Sequence, residues 1–293
     1  MNTRSTSGAA WRLALDCRCA LGESPVWLPE TAELLFVDVP AGRWFRYSTS
    51  SGALLAREVG EAIGCIAPAV GGGCVAGLRS GIWTIDPDGV KRERLAANPE
   101  DTAVSRFNDG RVDPAGRLLI GTIDEPKIRG EAGLYRFDRR GLQRITGGLM
   151  TSNGLAFSPD GRTLYHADTP RFVVYRYDYD PASGAAENRR VFFRIEPTAS
   201  DRGRPDGAAV DVDGCYWSAL YEGGRLHRYD PDGSLMSVHP LPVRSPTMPA
   251  FGGPDLRTLY VTSAVATDGS GGGLYALDAG ISGLPSPRFD PRI

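Results

Sequence analysis

No apolar run in this sequence approaches the roughly 20 residues of a membrane span. No segment keeps a 3.6-residue period beyond two turns. A membrane protein and a helix bundle are therefore not expected. Long basic tracts are missing as well, and charge is nearly balanced at 33 basic and 35 acidic residues, which argues against nucleic acid as a partner. The opening residues MNTRSTSGAAWRLALD lack an apolar core of signal-peptide length. The expectation is a soluble cytoplasmic protein, monomeric by default.

Cysteine and histidine are scarce. The five cysteines (Cys17, Cys19, Cys65, Cys74 and Cys215) are odd in number for a disulfide framework in so long a chain. The C-x-C pair Cys17/Cys19 has no further Cys or His nearby to complete a zinc site. Of the three histidines, His166 and His227 fall inside strand-like segments and His239 precedes Pro240, so each reads as structural. The G-x-S-x-G elbow of serine hydrolases is absent, since GESPV fails at its last position. DVDGCYWSALYE has acids at positions one, three and twelve of a calcium loop but no Gly at the sixth.

What the chain does have is turns, with 37 Gly and 22 Pro. It also repeats. Six aromatic strands, RWFRYSTSSG, GIWTIDPDG, GLYRFDRRG, VVYRYDYDPASG, RLHRYDPDG and GGLYALDAG, each follow a hairpin such as LAFSPDGRTLYHAD or RVDPAGRLLIGT. A spacing of about 40–55 residues fits blades of four antiparallel strands, so the fold class expected is all-β, a six-bladed β-propeller. Residues 1–293 then form a single domain, with 1–10 as a disordered N-terminal tail. A strand near Trp11–Asp16 is expected to complete the last blade, because ring closure removes exposed edges.

Aligning the units without gaps on their hairpin turns places Glu23, Asn108, Asn153 and Asp206 at one equivalent position, where the innermost strand begins. The other two units have Met248 and either Gly64 or Cys65 there. Equivalent positions in a ring face a common axis. Two carboxylates meeting two amides there repel and desolvate badly without a cation. The all-oxygen donor set favours one divalent cation among Ca²⁺, Mg²⁺, Mn²⁺ and Fe²⁺; Zn²⁺ is less suited without His or Cys. The same topology brings the loops after the second strands to the same mouth, among them the one carrying Asp124 and Glu125.

The segments LGESPVW, RFNDGRVDPAGR, SNGL, PDG and FGGPDLRTLYVTSA resemble the motifs of the senescence marker protein/gluconolactonase family of sugar lactonases, over almost the whole chain. The resemblance implies a six-bladed propeller with one divalent ion in its channel. It implies Glu23, Asn153 and Asp206 as metal ligands, Arg106 and Asn108 as sugar contacts, and Asp206 as the proton-transfer residue. An acidic sugar contact often follows the family's GTM; here GTIDEPKIRG puts Pro126 at that place, and Asp124 or Glu125 takes the role. The implied reaction is hydrolysis of an aldonolactone, from a pentose or a hexose, to its aldonic acid. Competing readings are a non-enzymatic calcium-binding regulator, a protein-binding scaffold and a broader ester or phosphotriester hydrolase.

Overall fold

The computed structural model describes residues 10–293, and the tail expected over 1–10 lies outside the described residues except for Ala10. Six four-stranded antiparallel sheets form a six-bladed β-propeller. The innermost strands are Gly22–Leu28, Ile63–Pro68, Ser105–Val112, Ser152–Phe157, Arg204–Val210 and Pro246–Gly252. Each packs against the innermost strands on either side, which closes the ring. The expected closing strand is Arg12–Leu15, which pairs antiparallel with Leu274–Asp278 at the outer edge of the last blade.

Polarity grades outward within a blade for a physical reason. An inner strand is covered on both faces by neighbouring blades, and Ser152–Phe157 and Ile63–Pro68 are buried throughout. An outer strand meets solvent, and Leu54–Glu58 and Leu235–Pro240 are largely exposed. The core is accordingly not one mass but six apolar clusters, one between each pair of adjacent blades. Leu35, Val37, Ile66 and Ala76 join the first blade to the second, and Trp217, Leu226, Phe251 and Leu259 join the fifth to the sixth. The apolar residues of the repeat thus serve inter-blade packing, leaving the axis free for polar groups.

The last residues cross the face opposite the mouth. Gly283 bridges to Asp211, Phe289 bridges to Ala69, and the Asp290 N–H donates to Gly116 O at 2.9 Å. Leu284–Pro287 pack at the hairpin ends of the inner strands, beside Pro114, Phe157 and Pro159. The chain end therefore covers the far end of the channel.

Candidate active site and cation site

Five of the six inner strands share one irregularity. Their ladders gain an extra residue between Glu23 and Val26, Phe107 and Gly110, Asn153 and Ala156, Pro205 and Ala208, and Pro246 and Pro249. A bulge of this kind bends the strand and re-aims a side chain. It also corrects the gap-free alignment. Glu23 and Asn153 are the last paired residues before the bulge, while Asn108 and Asp206 lie one residue later, inside it. The four are not strictly equivalent, because the bulge falls at a different distance from the hairpin turn in the two sets.

Two glycines permit this arrangement. Gly154 sits in the bulge at φ +62°, and a Cβ there would lie 2.5 Å from the Tyr216 hydroxyl and 2.9 Å from Asp206 O. That is why a polar residue and a glycine precede the apolar run Leu155–Phe157. Gly64 occupies the second blade's bulge, and its missing Cβ makes room for the backbone of Phe107 and Asn108. In the first blade the left-handed place falls to Ser24 (φ +52°). Its hydroxyl accepts from the Ile66 N–H at 3.0 Å and donates to Ile66 O at 3.2 Å, which fixes the strained turn against the next blade.

The structure brings Arg106, Asn108, Asn153 and Asp206 into one hydrogen-bonded chain across three blades. Arg106 Nη1 donates to Asn108 Oδ1 at 2.7 Å. Asn108 Nδ2 donates to Asn153 Oδ1 at 2.7 Å and to Ser152 O at 3.0 Å. Asn153 Nδ2 donates to Asp206 Oδ1 at 2.6 Å and to Thr169 Oγ1 at 2.9 Å. The Thr169 hydroxyl in turn donates to Pro205 O at 2.8 Å. An acceptor-only carboxylate at one end and a donor-only guanidinium at the other set both amides in one sense.

Glu23 completes the group from the first blade. One of its oxygens accepts from the Ser24 N–H at 3.1 Å. Burial pushes its carboxyl well up, and the charges of Asp206 and Asp109 add to that. Asp206 is pushed up to about 8, first by burial and then by Asp109, against the pull of Arg204 and Lys127. Among the described residues neither Glu23 nor Asp206 has an ion-pair partner. Two buried carboxylates with raised pKa and no cation suit a divalent ion. The described residues hold no group of three or more His, Cys, Asp or Glu that fits a metal; here the third donor is the Asn153 amide oxygen. The residues present fit a hard cation held by Glu23, Asn153 and Asp206.

The two acids of the GTIDEP loop part company. Glu125 meets Arg79 in a two-point contact, with Arg79 Nη2 donating to Oε1 at 2.7 Å and Nη1 to Oε2 at 2.9 Å. Arg106 Nε lies 3.6 Å from the same Oε1. Glu125 therefore joins the group through Arg106. Asp124 is buried and its oxygens are taken up by its own loop. It accepts from the N–H groups of Ile128, Arg129 and Gly130 and from the Arg129 side chain. It builds the loop rather than facing the channel.

One acid was missed by the sequence reading. Asp109, the last acid of RFND, is buried in the channel wall, with Oδ2 accepting from the Leu155 N–H at 2.8 Å and Oδ1 unpartnered. Its charge bears on both Glu23 and Asp206. Arg111, two residues on, donates to Leu155 O and Ala208 O and offsets that charge. Its direct adjacency to Asn108 was the available signal. The histidines lie elsewhere: His166 is fully buried against Ser152 Oγ at 2.7 Å, His227 contacts Arg225 and Tyr229, and His239 contacts Ser237.

Known proteins resemble the chain throughout. It is 47% identical over 247 residues to a 6-deoxy-6-sulfogluconolactonase of Pseudomonas putida, covering 83% of each chain. It is 36% identical to a pentonolactonase of Haloferax volcanii, covering 95% of this chain and 98% of that protein. A solved structure of a calcium-binding protein, regucalcin from Agrobacterium tumefaciens, superposes with a TM-score of 0.89 at 26% identity, over 96% of this chain and 97% of that one. Residues 21–265 match the region described as SMP-30/Gluconolactonase/LRE-like, and the chain belongs to that family.

Proposed function

We propose that the protein hydrolyses an aldonolactone to its aldonic acid, with a divalent cation at Glu23, Asn153 and Asp206. The observation that carries this is the hydrogen-bonded chain from Arg106 through Asn108 and Asn153 to Asp206, ending beside Glu23. It sets two uncompensated acids and a buried guanidinium around one channel mouth. Relatives named as lactonases support the same reaction class.

When bound, the ion supplies positive charge that polarises an ester carbonyl or acidifies a water. The chain's residues do the rest. Asp206 Oδ1 is engaged by Asn153, so its other oxygen is the one left to take the proton of an attacking water. A bond forms from the water oxygen to the carbonyl carbon and the ring C–O bond breaks. Asp206 then returns the proton to the departing ring oxygen. Arg106 and Asn108 hold sugar hydroxyls and fix the ring. Burial lowers Arg106 to about 10, still charged at neutral pH, so it also suits developing negative charge.

A second reading, a non-enzymatic calcium-binding protein, is favoured by the calcium-binding structural neighbour. A pure ion site does not need Arg106 aimed beside it by Glu125. The test is proton release from a panel of arabinono-, xylono-, galactono- and gluconolactones. Turnover of at least one supports the lactonase; ion binding without turnover of any supports the binding protein.

A further inference from the structure

Resting on the aldonolactone reading, we propose that Lys127 and Arg204 form an anion subsite at the channel rim. It would select a lactone bearing a sulfonate, phosphate or carboxylate on the carbon farthest from the ester carbonyl.

The loop after Leu118–Asp124 is built to present Lys127. The Lys127 N–H closes a turn onto Asp124 O at 2.7 Å, and the buried Asp124 carboxylate gathers the next three N–H groups beneath it. Lys127 itself takes φ +56°, a backbone region unfavourable for a residue with a Cβ. Its loop neighbour Arg129 is committed to Asp124 and Glu131. Lys127 is exposed, and among the described residues its ammonium has no ion-pair partner.

Arg204 opens the inner strand of the fifth blade, opposite Tyr221. Glu222 holds one nitrogen at 2.6 Å, its guanidinium lies 5.2 Å from the Tyr221 ring centroid, and its Nε is buried without an acceptor. The side chain is thus stacked and oriented but not saturated. Lys127 and Arg204 flank the fourth blade, which supplies Asn153 between them. Both exert a measurable pull on Asp206, so both face the mouth. The other rim cations are spoken for, because Arg79 and Arg106 share Glu125.

Ligand shape completes the argument. In an aldonolactone the carbonyl carbon and the terminal carbon are at opposite ends. A carbonyl at Asp206 leaves the terminal substituent toward the rim, where the two cations stand. A neutral hydroxyl there uses neither charge; an anion uses both.

The test is calorimetric binding to the purified full-length protein, with four probes: gluconate, 6-deoxy-6-sulfogluconate, 6-phosphogluconate and glucarate. An anionic end should tighten binding about tenfold over gluconate in low salt, with the advantage shrinking as salt rises. Which of the three anions gains most identifies the group. Lys127→Gln and Arg204→Gln should each remove about threefold of the advantage, and the double variant nearly all of it. Lys91→Gln, on an outer strand, should leave it intact. Equal affinity for all four probes, or an advantage that survives the double variant, overturns the proposal. Hydrolysis of gluconolactone is followed separately: anion preference without hydrolysis leaves the subsite standing and removes the lactonase reading.

Discussion

Asn153 Nδ2 donates to Asp206 Oδ1 at 2.6 Å across the joint between the fourth and fifth blades. The bond fixes which Asp206 oxygen is engaged and which is left for chemistry. It also fixes the amide so that its oxygen is turned toward Asn108.

Asp206→Ala should lower kcat/KM by about 10³-fold or more, since it removes a proton-transfer group and a cation donor together. The fold should survive, because the change deletes a buried unpaired charge. A retained circular dichroism spectrum with lost turnover is the expected result.

Without metal, stability should depend on pH through the same residue. Asp206 has a folded value of about 8 against an ordinary 3.8, so the folded chain holds this proton more tightly than the unfolded one. The associated stability is full below about pH 4 and is lost as pH rises through about 8. Glu23, also raised, acts in the same direction. Thermal melts of stripped protein should fall over that window, and an added divalent ion should flatten the fall.

His166 gives the opposite slope on the acid side. Burial holds its pKa down at about 3 against an ordinary 6.5, and Nδ1 has no partner. The unfolded chain takes up that proton first, so the contribution is present above about pH 6.5 and lost as pH falls toward 3. His166→Gln should reduce this acid-side slope in pH-dependent melts.

Gly154→Ala should destabilise by about 2–4 kcal/mol, because the new Cβ combines positive φ with a clash against backbone. Turnover should drop with it, since Asp206 O is one of the atoms that must move. A denaturant titration together with initial rates checks both.

Glu125→Gln should raise KM more than it lowers kcat. Glu125 touches Arg79 and Arg106 but is separated from the Asp206 end by the whole hydrogen-bonded chain. Losing the charge loosens Arg106 and with it the sugar, not the proton transfer. Steady-state kinetics on the best aldonolactone distinguishes the two.

The propeller was legible because it is written locally. Each blade announces itself by a PDG-type turn, an alternating hairpin and an aromatic strand, and the observed sheets follow those units. The residues at the mouth were legible because ring symmetry converts equal sequence offsets into spatial convergence. The one-residue bulge was not, since a bulge is set by pairing between strands and leaves no mark in either alone. The parting of Asp124 from Glu125 was not either. Adjacent residues at a strand end face opposite ways, and only the path of the following loop decides which meets Arg79. Asp109 escaped notice because its neighbours come from other blades, at Leu155 and Glu23.

The most direct measurement is a titration of a divalent ion into chelator-stripped protein, following bound ion and aldonolactone turnover in the same sample. One ion per chain should bind, turnover should rise in step with occupancy, and Glu23→Gln and Asp206→Ala should weaken binding. Full turnover without any ion, or ion binding indifferent to both substitutions, would contradict the account.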